Sequence, residues 1–232
     1  PIAQDLTIKQ IEEYDCIVHL AALSGIFACE ENYIEAVEKN ILTANNVFSK
    51  ASLNGIPVVF TSSQAAKEPF SSKYANLKYQ CEIIAGIYNK KGGKNYVIRL
   101  GNVYGGDHYL EKKQTCVKQF ITKYNAGKPM EIHGNGKQKR DFIHVLDVCN
   151  TIMKILDIQP MNKSPMDIGT GIGTSIKDLL KMFPRRKNYH YKFVKSRDAG
   201  ADSSIADINE AEKRISFKAE RKLEDYIKEM IK

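Results

Sequence analysis

Tyr74-Ala75-Asn76-Leu77-Lys78 sets a phenol and an ammonium four residues apart. On an α-helix such residues lie one above the other on a single face. A phenol with an ordinary pKa of about 10 is a poor base near neutrality, but a neighbouring ammonium favours the phenolate and makes proton abstraction feasible. The spacing alone suits an inert surface pair equally well. What shifts the balance is Thr61-Ser62-Ser63, a run of hydroxyls at the end of the apolar stretch Val58 to Phe60 and shortly before the Tyr/Lys segment. Open α/β sheets bind their ligands outside the carboxyl ends of the strands. A hydroxyl, a phenol and an ammonium can therefore converge on one site.

The elements that must position them follow from periodicity. Cys16 to Leu20, Val58 to Thr61 and Tyr96 to Leu100 are short, β-branched and nearly continuously apolar, as strands covered on both faces are. Helix-length segments separate them. Tyr33 to Leu53 carries Ile34, Val37, Ile41, Ala44 and Val47 at spacings of three and four, and Asn54-Gly55 ends it. Lys73 to Tyr88 is a second helix, and Leu223 to Ile231 closes the chain. Strands alternating with helices predict an α/β fold with a parallel sheet. After Tyr104 the elements shorten and loops such as His133 to Gly136 and Gly169 to Gly173 intervene. The division expected is residues 1–104 for the sheet domain and residues 105–232 for a smaller region that completes the ligand site, some of its elements returning to the sheet.

Composition bounds the function. The 232 residues are 43% hydrophobic, enough for a real core, and no apolar run approaches the roughly 20 residues of a membrane span. The start lacks the pattern of a signal peptide, so a cytoplasmic protein is expected. Five separated cysteines form no metal-ligand cluster and are expected to be reduced. The net charge of +8 is spread among 27 acidic residues. No segment is read as a basic run interleaved with aromatics, Arg185-Arg186-Lys187 is taken as solvated surface, and no nucleic-acid or membrane partner is expected.

Five segments occur in a telling order: DCIVHLAA (Asp15 to Ala22), VVFTSS (Val58 to Ser63), YANLK, RLGNVYG (Arg99 to Gly105) and GNGKQKRDFIHVLDV (Gly134 to Val148). With MDIGTGIGTSIKDLL (Met166 to Leu180) and IADINEAEK (Ile205 to Lys213), they make the chain resemble the extended short-chain dehydrogenase/reductase family. The likeness is closest to its NAD-dependent nucleotide-sugar 4-epimerases and covers nearly the whole chain. The resemblance implies a Rossmann-like, doubly wound parallel sheet that is incomplete at its N-terminus, because the chain enters just before the HLAA strand and contains no G-x-x-G-x-x-G turn. On that ground NAD binding by the chain alone is expected to be weak.

The resemblance also implies roles. Tyr74 would be the catalytic base, Lys78 would hold the nicotinamide ribose and tune Tyr74, and Ser63 would bond the reacting sugar oxygen. Asp5, Leu6, Ala21, Ala22, Asn40 and Ser62 would line NAD together with Tyr74 and Lys78. Asn102, Arg140 and Arg197 would grip the nucleotide diphosphate, and Ser204 would stand beside the sugar where some epimerases carry a bulky aromatic. No metal is implied. A homodimer through the Tyr33 to Leu53 and Lys73 to Tyr88 helices is expected. Lys67 stands where relatives often have Tyr. Ser63-Gln64 lacks the carboxylic acid of a 4,6-dehydratase, so the implied reaction is epimerisation of a nucleotide-activated hexose or N-acetylhexosamine. A reductase, a decarboxylase and a non-catalytic nucleotide-sugar binder remain as alternatives. His19 reads as a core or cofactor-lining residue rather than a catalytic one, His144 and Asp147 read as capping and packing residues, and the neighbouring Asp141 offers Arg140 an ion pair in place of a ligand.

Overall fold

The computed structural model describes residues 11, 13–106, 115–185, 189–195 and 202–231. Its centre is a four-stranded, all-parallel sheet of β1 (Ile17–His19), β2 (Val58–Ser63), β3 (Asn95–Leu100) and β8 (Met166–Ile168), in the order β1-β2-β3-β8. Register is continuous across it, with Val58 opposite both Ile17 and Asn95.

Helices cover both faces, which is why these strands are apolar without alternation. On one face α3 (Thr43–Leu53) and α4 (Lys73–Lys90) bury Ala44, Val47, Phe48, Ala51, Cys81 and Ala85 against Val58, Phe60 and Val97. On the other, α6 (Val145–Ile158) and α8 (Asn209–Ile215) pack Val148, Ile152, Ile155, Ala211 and Ile215 on Val59, Tyr96, Ile98, Met166 and Ile168. Elements from the second half of the chain thus complete the sheet's second face. This is the α/β, Rossmann-like arrangement that the sequence predicts.

The helix expected over Tyr33 to Leu53 is interrupted. After α1 (Ile26–Glu31) come α2 (Tyr33–Val37), a π-helical turn (Glu38–Leu42) and then α3. Single π-turns inside helices often mark functional positions because they rotate one side chain out of register. Here that side chain is Asn40. The helix ends as expected, Gly55 taking φ +67° after Asn54. In α4, Ser72 caps the N-terminus by accepting the Ala75 N–H at 3.1 Å.

A third core draws only on residues after Val103. It joins α5 (Cys116–Asn125), β5 (Met130–His133), α7 (Ile176–Lys181) and α9 (Leu223–Met230) through Phe120, Ile132, Leu179, Phe183 and Ile227. Short ladders frame it: β4 (Asn102–Tyr104) beside β7 (Phe142–His144), β10 (Tyr191–Val194) beside β5, and β11 (Ser203–Ser204) with β6 (Lys139–Arg140) and β9 (Thr174–Ser175).

Two histidines and an aspartate occupy the structural roles expected of them. His144 caps α6, its Nδ1 accepting the Leu146 N–H at 3.1 Å. Asp147 anchors the chain before α9 through Arg221, whose guanidinium lies at 2.6 Å. His19 is buried between Phe48 and Phe60 with its Nε2 unpartnered, and burial with the Lys78 charge pushes its pKa down to about 4.

Candidate active site

α4 carries Tyr74 and Lys78 on the face turned toward the carboxyl end of β2. Lys78 is 5% exposed; its ammonium donates to the Thr61 carbonyl at 2.8 Å and sits 4.8 Å from the centre of the Phe60 ring. Burial lowers its pKa, opposed by Cys81, Cys29 and Glu82. The Tyr74 phenol hydrogen-bonds Ser63. Its pKa is raised, burial being the main cause, the Ser63 bond opposing it and Cys29 adding to it. The downward pull on the phenol therefore comes from Ser63, while Lys78 is turned to the strand backbone. Ser63 Oγ accepts the Ala65 N–H at 3.2 Å, which leaves its one proton for the Tyr74 oxygen or, in its place, an oxygen entering the cavity.

That cavity, of about 520 Å³, opens at the carboxyl edge of the sheet. Ser63, Tyr74, Asn102, Arg140 and Ser204 all line it, so five residues singled out from sequence meet in one place. The register explains part of this convergence. Ser204 pairs with Arg140 across β11 and β6, and the Asn102 N–H donates at 2.6 Å to the carbonyl of Asp141. Burial lowers the Arg140 pKa, and Arg140 forms no ion pair among the described residues; its Nη1 donates to the Lys139 carbonyl at 2.8 Å.

The ion pair that Asp141 could have offered Arg140 is not made. The Asp141 carboxylate is fully buried and turned to backbone. It accepts the Thr170 N–H (2.8 Å) and hydroxyl (2.7 Å) on one oxygen, and the Gly171 (2.9 Å) and Ala206 (3.2 Å) N–H groups on the other. A Cβ on Gly169 would collide with that carboxylate and with Ala206, so the Gly169 to Gly173 turn is built around Asp141. Asp167 does similar work. It accepts Lys67 Nζ at 2.8 Å and the Asp207 N–H at 3.1 Å, with Arg99 at 3.9 Å. Sequence reasoning noticed Lys67 as a departure but not its partner, one hundred residues away along the chain.

The expected cofactor residues are distributed as follows. Ala21 is exposed and Ala22 half-buried just past β1, and Asn40 fixes the loop that follows them. Asn40 Oδ1 accepts the Leu23 N–H at 2.7 Å and its Nδ2 donates to the Leu23 carbonyl at 3.1 Å. Ser62 points elsewhere: its buried hydroxyl lies 2.5 Å from Glu82, which also receives the Arg99 fork. Only the Ser62 backbone remains for a ligand. Asp5, Leu6 and Arg197 lie outside the described residues. No group of three or more potential metal ligands occurs among the described residues, and none of the described helices is long and apolar enough to cross a membrane.

A hydrogen-bonded Ser/Tyr pair, a buried Lys and a guanidinium without a carboxylate partner among the described residues thus lie at the edge of a doubly covered parallel sheet of Rossmann type. Residues 3–169 match the NAD dependent epimerase/dehydratase family, and the chain belongs to that family. Among curated relatives, dTDP-4-dehydro-6-deoxy-D-allose reductase of Streptomyces sp is 28% identical, the match covering 88% of this chain and 69% of the relative. UDP-glucose 4-epimerase of Drosophila melanogaster is 31% identical over 93% of this chain and 72% of its own. The solved structure of MoeE5 in complex with UDP-glucuronic acid and NAD superposes with a TM-score of 0.87 at 23% identity, covering 98% of this chain and 81% of that one. The protein is thus an enzyme of an NAD-dependent, nucleotide-sugar-modifying family.

Proposed function

We propose that the protein epimerises a nucleotide-activated hexose or N-acetylhexosamine at C4, through a transient keto-sugar. The observation that carries this reading is the Tyr74 to Ser63 hydrogen bond in a cavity also lined by Arg140 and Asn102. A proton-handling pair and a diphosphate grip in one cavity suit a sugar held by its nucleotide.

The residues fit the nicotinamide-ribose half of NAD. Lys78 has N–H capacity beyond its bond to Thr61, and the backbone of Ala21 and Ala22 is accessible beside a loop that Asn40 holds rigid. Bound NAD supplies hydride acceptance and return. Tyr74 takes the sugar hydroxyl proton and later gives one back, and Ser63 holds the reacting oxygen. Asn102, Arg140 and Arg197 retain the diphosphate while the sugar turns. Asp5 and Leu6 are proposed to reach the adenosine. Ser204 leaves room beside the sugar.

A homodimer is part of the proposal. Tyr79, Ile83 and Ile87 recur every four residues on α4 and are 39–49% exposed, and Ile34 on α2 and Leu42 on the π-helical turn are more exposed still. Five free cysteines support a cytoplasmic setting.

The test is turnover of UDP-hexose and UDP-N-acetylhexosamine followed by NMR, with NAD quantified before and after. Epimerisation predicts interconverted C4 epimers and NAD unchanged; stoichiometric NAD(P)H consumption assigns a reductase and CO₂ release a decarboxylase. Tyr74→Phe should lower kcat by about 10²–10⁴ while leaving nucleotide-sugar affinity nearly intact. Normal turnover in that variant sinks the assignment.

A further inference from the structure

A second cavity, of about 380 Å³, lies between β10 and α7, and none of its lining residues borders the catalytic one. Along β10 the side chains alternate. Tyr191 and Phe193 turn toward α7, whereas Lys192 pairs with Glu131 at 3.1 Å. Tyr189, Tyr191 and Phe193 follow one another edge to face, with centroid spacings of 6.1 and 5.9 Å and planes inclined by 69° and 90°, so a planar ligand that lies flat on one ring meets the edge of the next. Tyr191 and Phe193 are 50% and 53% exposed, although Ile132 and Leu180 give them an apolar floor on which to bury.

The rim is cationic. Lys177, Lys181 and Arg185 surround the opening, and Lys177 Nζ stands 5.7 Å from the Phe193 ring centre. Among the described residues only Lys181 has a carboxylate partner, Asp178 at 2.6 Å. The run from Arg185 to Lys195 therefore interleaves cations with aromatics, a pattern that the sequence reading passed over in treating Arg185-Arg186-Lys187 as surface.

We propose that this groove binds a free nucleoside phosphate, its base flat on one of the Tyr191 and Phe193 rings and edge-on to the other, and its phosphate among Lys177, Lys181 and Arg185. Base-on-aromatic contact and cation-to-phosphate attraction are the two terms such ligands require together. The groove is concave, which suits a small planar anion better than a flat membrane surface. The Tyr189 hydroxyl already donates to the Leu180 carbonyl at 3.0 Å and is not left to read a base edge.

Calorimetric titration of the protein with AMP tests this, using wild type, Tyr191→Thr/Phe193→Thr, Lys177→Glu/Arg185→Glu and Arg140→Ala. The exposed positions and the β-forming threonine keep the fold, which equal melting temperatures verify. The expected result is a class of AMP sites weakened about tenfold or more in both groove variants, kept in Arg140→Ala and weakened by salt. Equal affinity in wild type and groove variants overturns the proposal, as does loss in Arg140→Ala alone. Inorganic phosphate competing as well as AMP removes the role of the rings. Aromatic-dependent co-sedimentation with phosphatidylglycerol vesicles, or length-dependent and tighter binding of oligouridylate, reassigns the groove and overturns the free-nucleotide claim.

Discussion

Replacing Asp141 by Asn changes one atom and should unsettle both the fold and the site. The carboxylate accepts two bonds from Thr170 on one oxygen, and the N–H groups of Gly171 and Ala206 on the other. An amide has a single acceptor oxygen, so in a fully buried position its NH₂ faces either the Gly171 and Ala206 N–H groups or the Thr170 N–H, where the Thr170 hydroxyl can turn to accept but loses its own acceptor. Each buried donor left unsatisfied costs about 1–3 kcal/mol, and partial relaxation of the Gly169 to Gly173 turn brings the pair to about 2–4 kcal/mol. For a chain of this size each kcal/mol lowers Tm by about 2–4 °C, so a fall of about 4–16 °C is expected. The assay is thermal unfolding followed by circular dichroism, with Asp178→Asn as the control. Asp178 is an exposed carboxylate bonded to Lys181 and to the Ser175 hydroxyl, and because solvent and the retained amide oxygen can replace these bonds its loss should move the melt far less. Nucleotide-sugar affinity should fall as well in Asp141→Asn, because Arg140 and the Ser204 to Ala206 backbone are held through this residue. A Tm within about 1 °C of wild type, with unchanged affinity, refutes the view that Asp141 knits the cavity wall.

Three further outcomes are expected. Ser63→Ala removes the bond that pulls the Tyr74 pKa down, so the rise of kcat/KM with pH should move to higher pH; an unmoved profile denies Ser63 that role. His19 has a folded pKa of about 4 against 6.5 unfolded, so its contribution is complete above pH 6.5 and is lost as pH falls toward 4. That contribution is about 3 kcal/mol, and His19→Phe, which can pack beside Phe48 and Phe60, should flatten the acid side of a stability-versus-pH curve measured by urea denaturation. Ser204→Tyr should cut kcat/KM for UDP-N-acetylglucosamine more than for UDP-glucose by filling space beside the sugar, whereas an unchanged ratio would place Ser204 away from it.

The parallel sheet was legible because its evidence is local. Val58 to Phe60 and Tyr96 to Ile98 are apolar at every position, a pattern that only strands covered on both faces sustain, and the covering helices carry their own periodicity. The π-turn at Glu38 to Leu42 was not legible. Nothing in ENYIEAVEKNILTANN distinguishes a helix with one extra residue from a regular one, since the apolar spacing of three and four is kept on both sides of the turn. The turn is explained by a tertiary contact: it presents Asn40 to both backbone groups of Leu23.

The same division between local and distant evidence runs through the site. Tyr74 and Lys78 could be found from a spacing, and Ser63 from its place at a strand end, because helix and strand geometry translate sequence distance directly into direction. Arg140 and Ser204 meet only through the pairing of β6 with β11, two-residue strands with no periodicity to read, and here the resemblance supplied what spacing could not. Asp141 shows why a carboxylate beside a cation in the sequence is hard to interpret. An Asp beside an Arg suggests an ion pair, yet at a buried position three backbone N–H groups and a hydroxyl satisfy the charge better than one solvated cation. The aromatic groove is the opposite case, a local signal that was present and passed over. Residues 189, 191 and 193 are aromatic at the period of a strand, with cations before, between and after them. Period-two alternation makes such a segment two-faced, so Lys192 and its neighbours should be read as belonging to different surfaces, and the face carrying the rings is the one that still wants a partner.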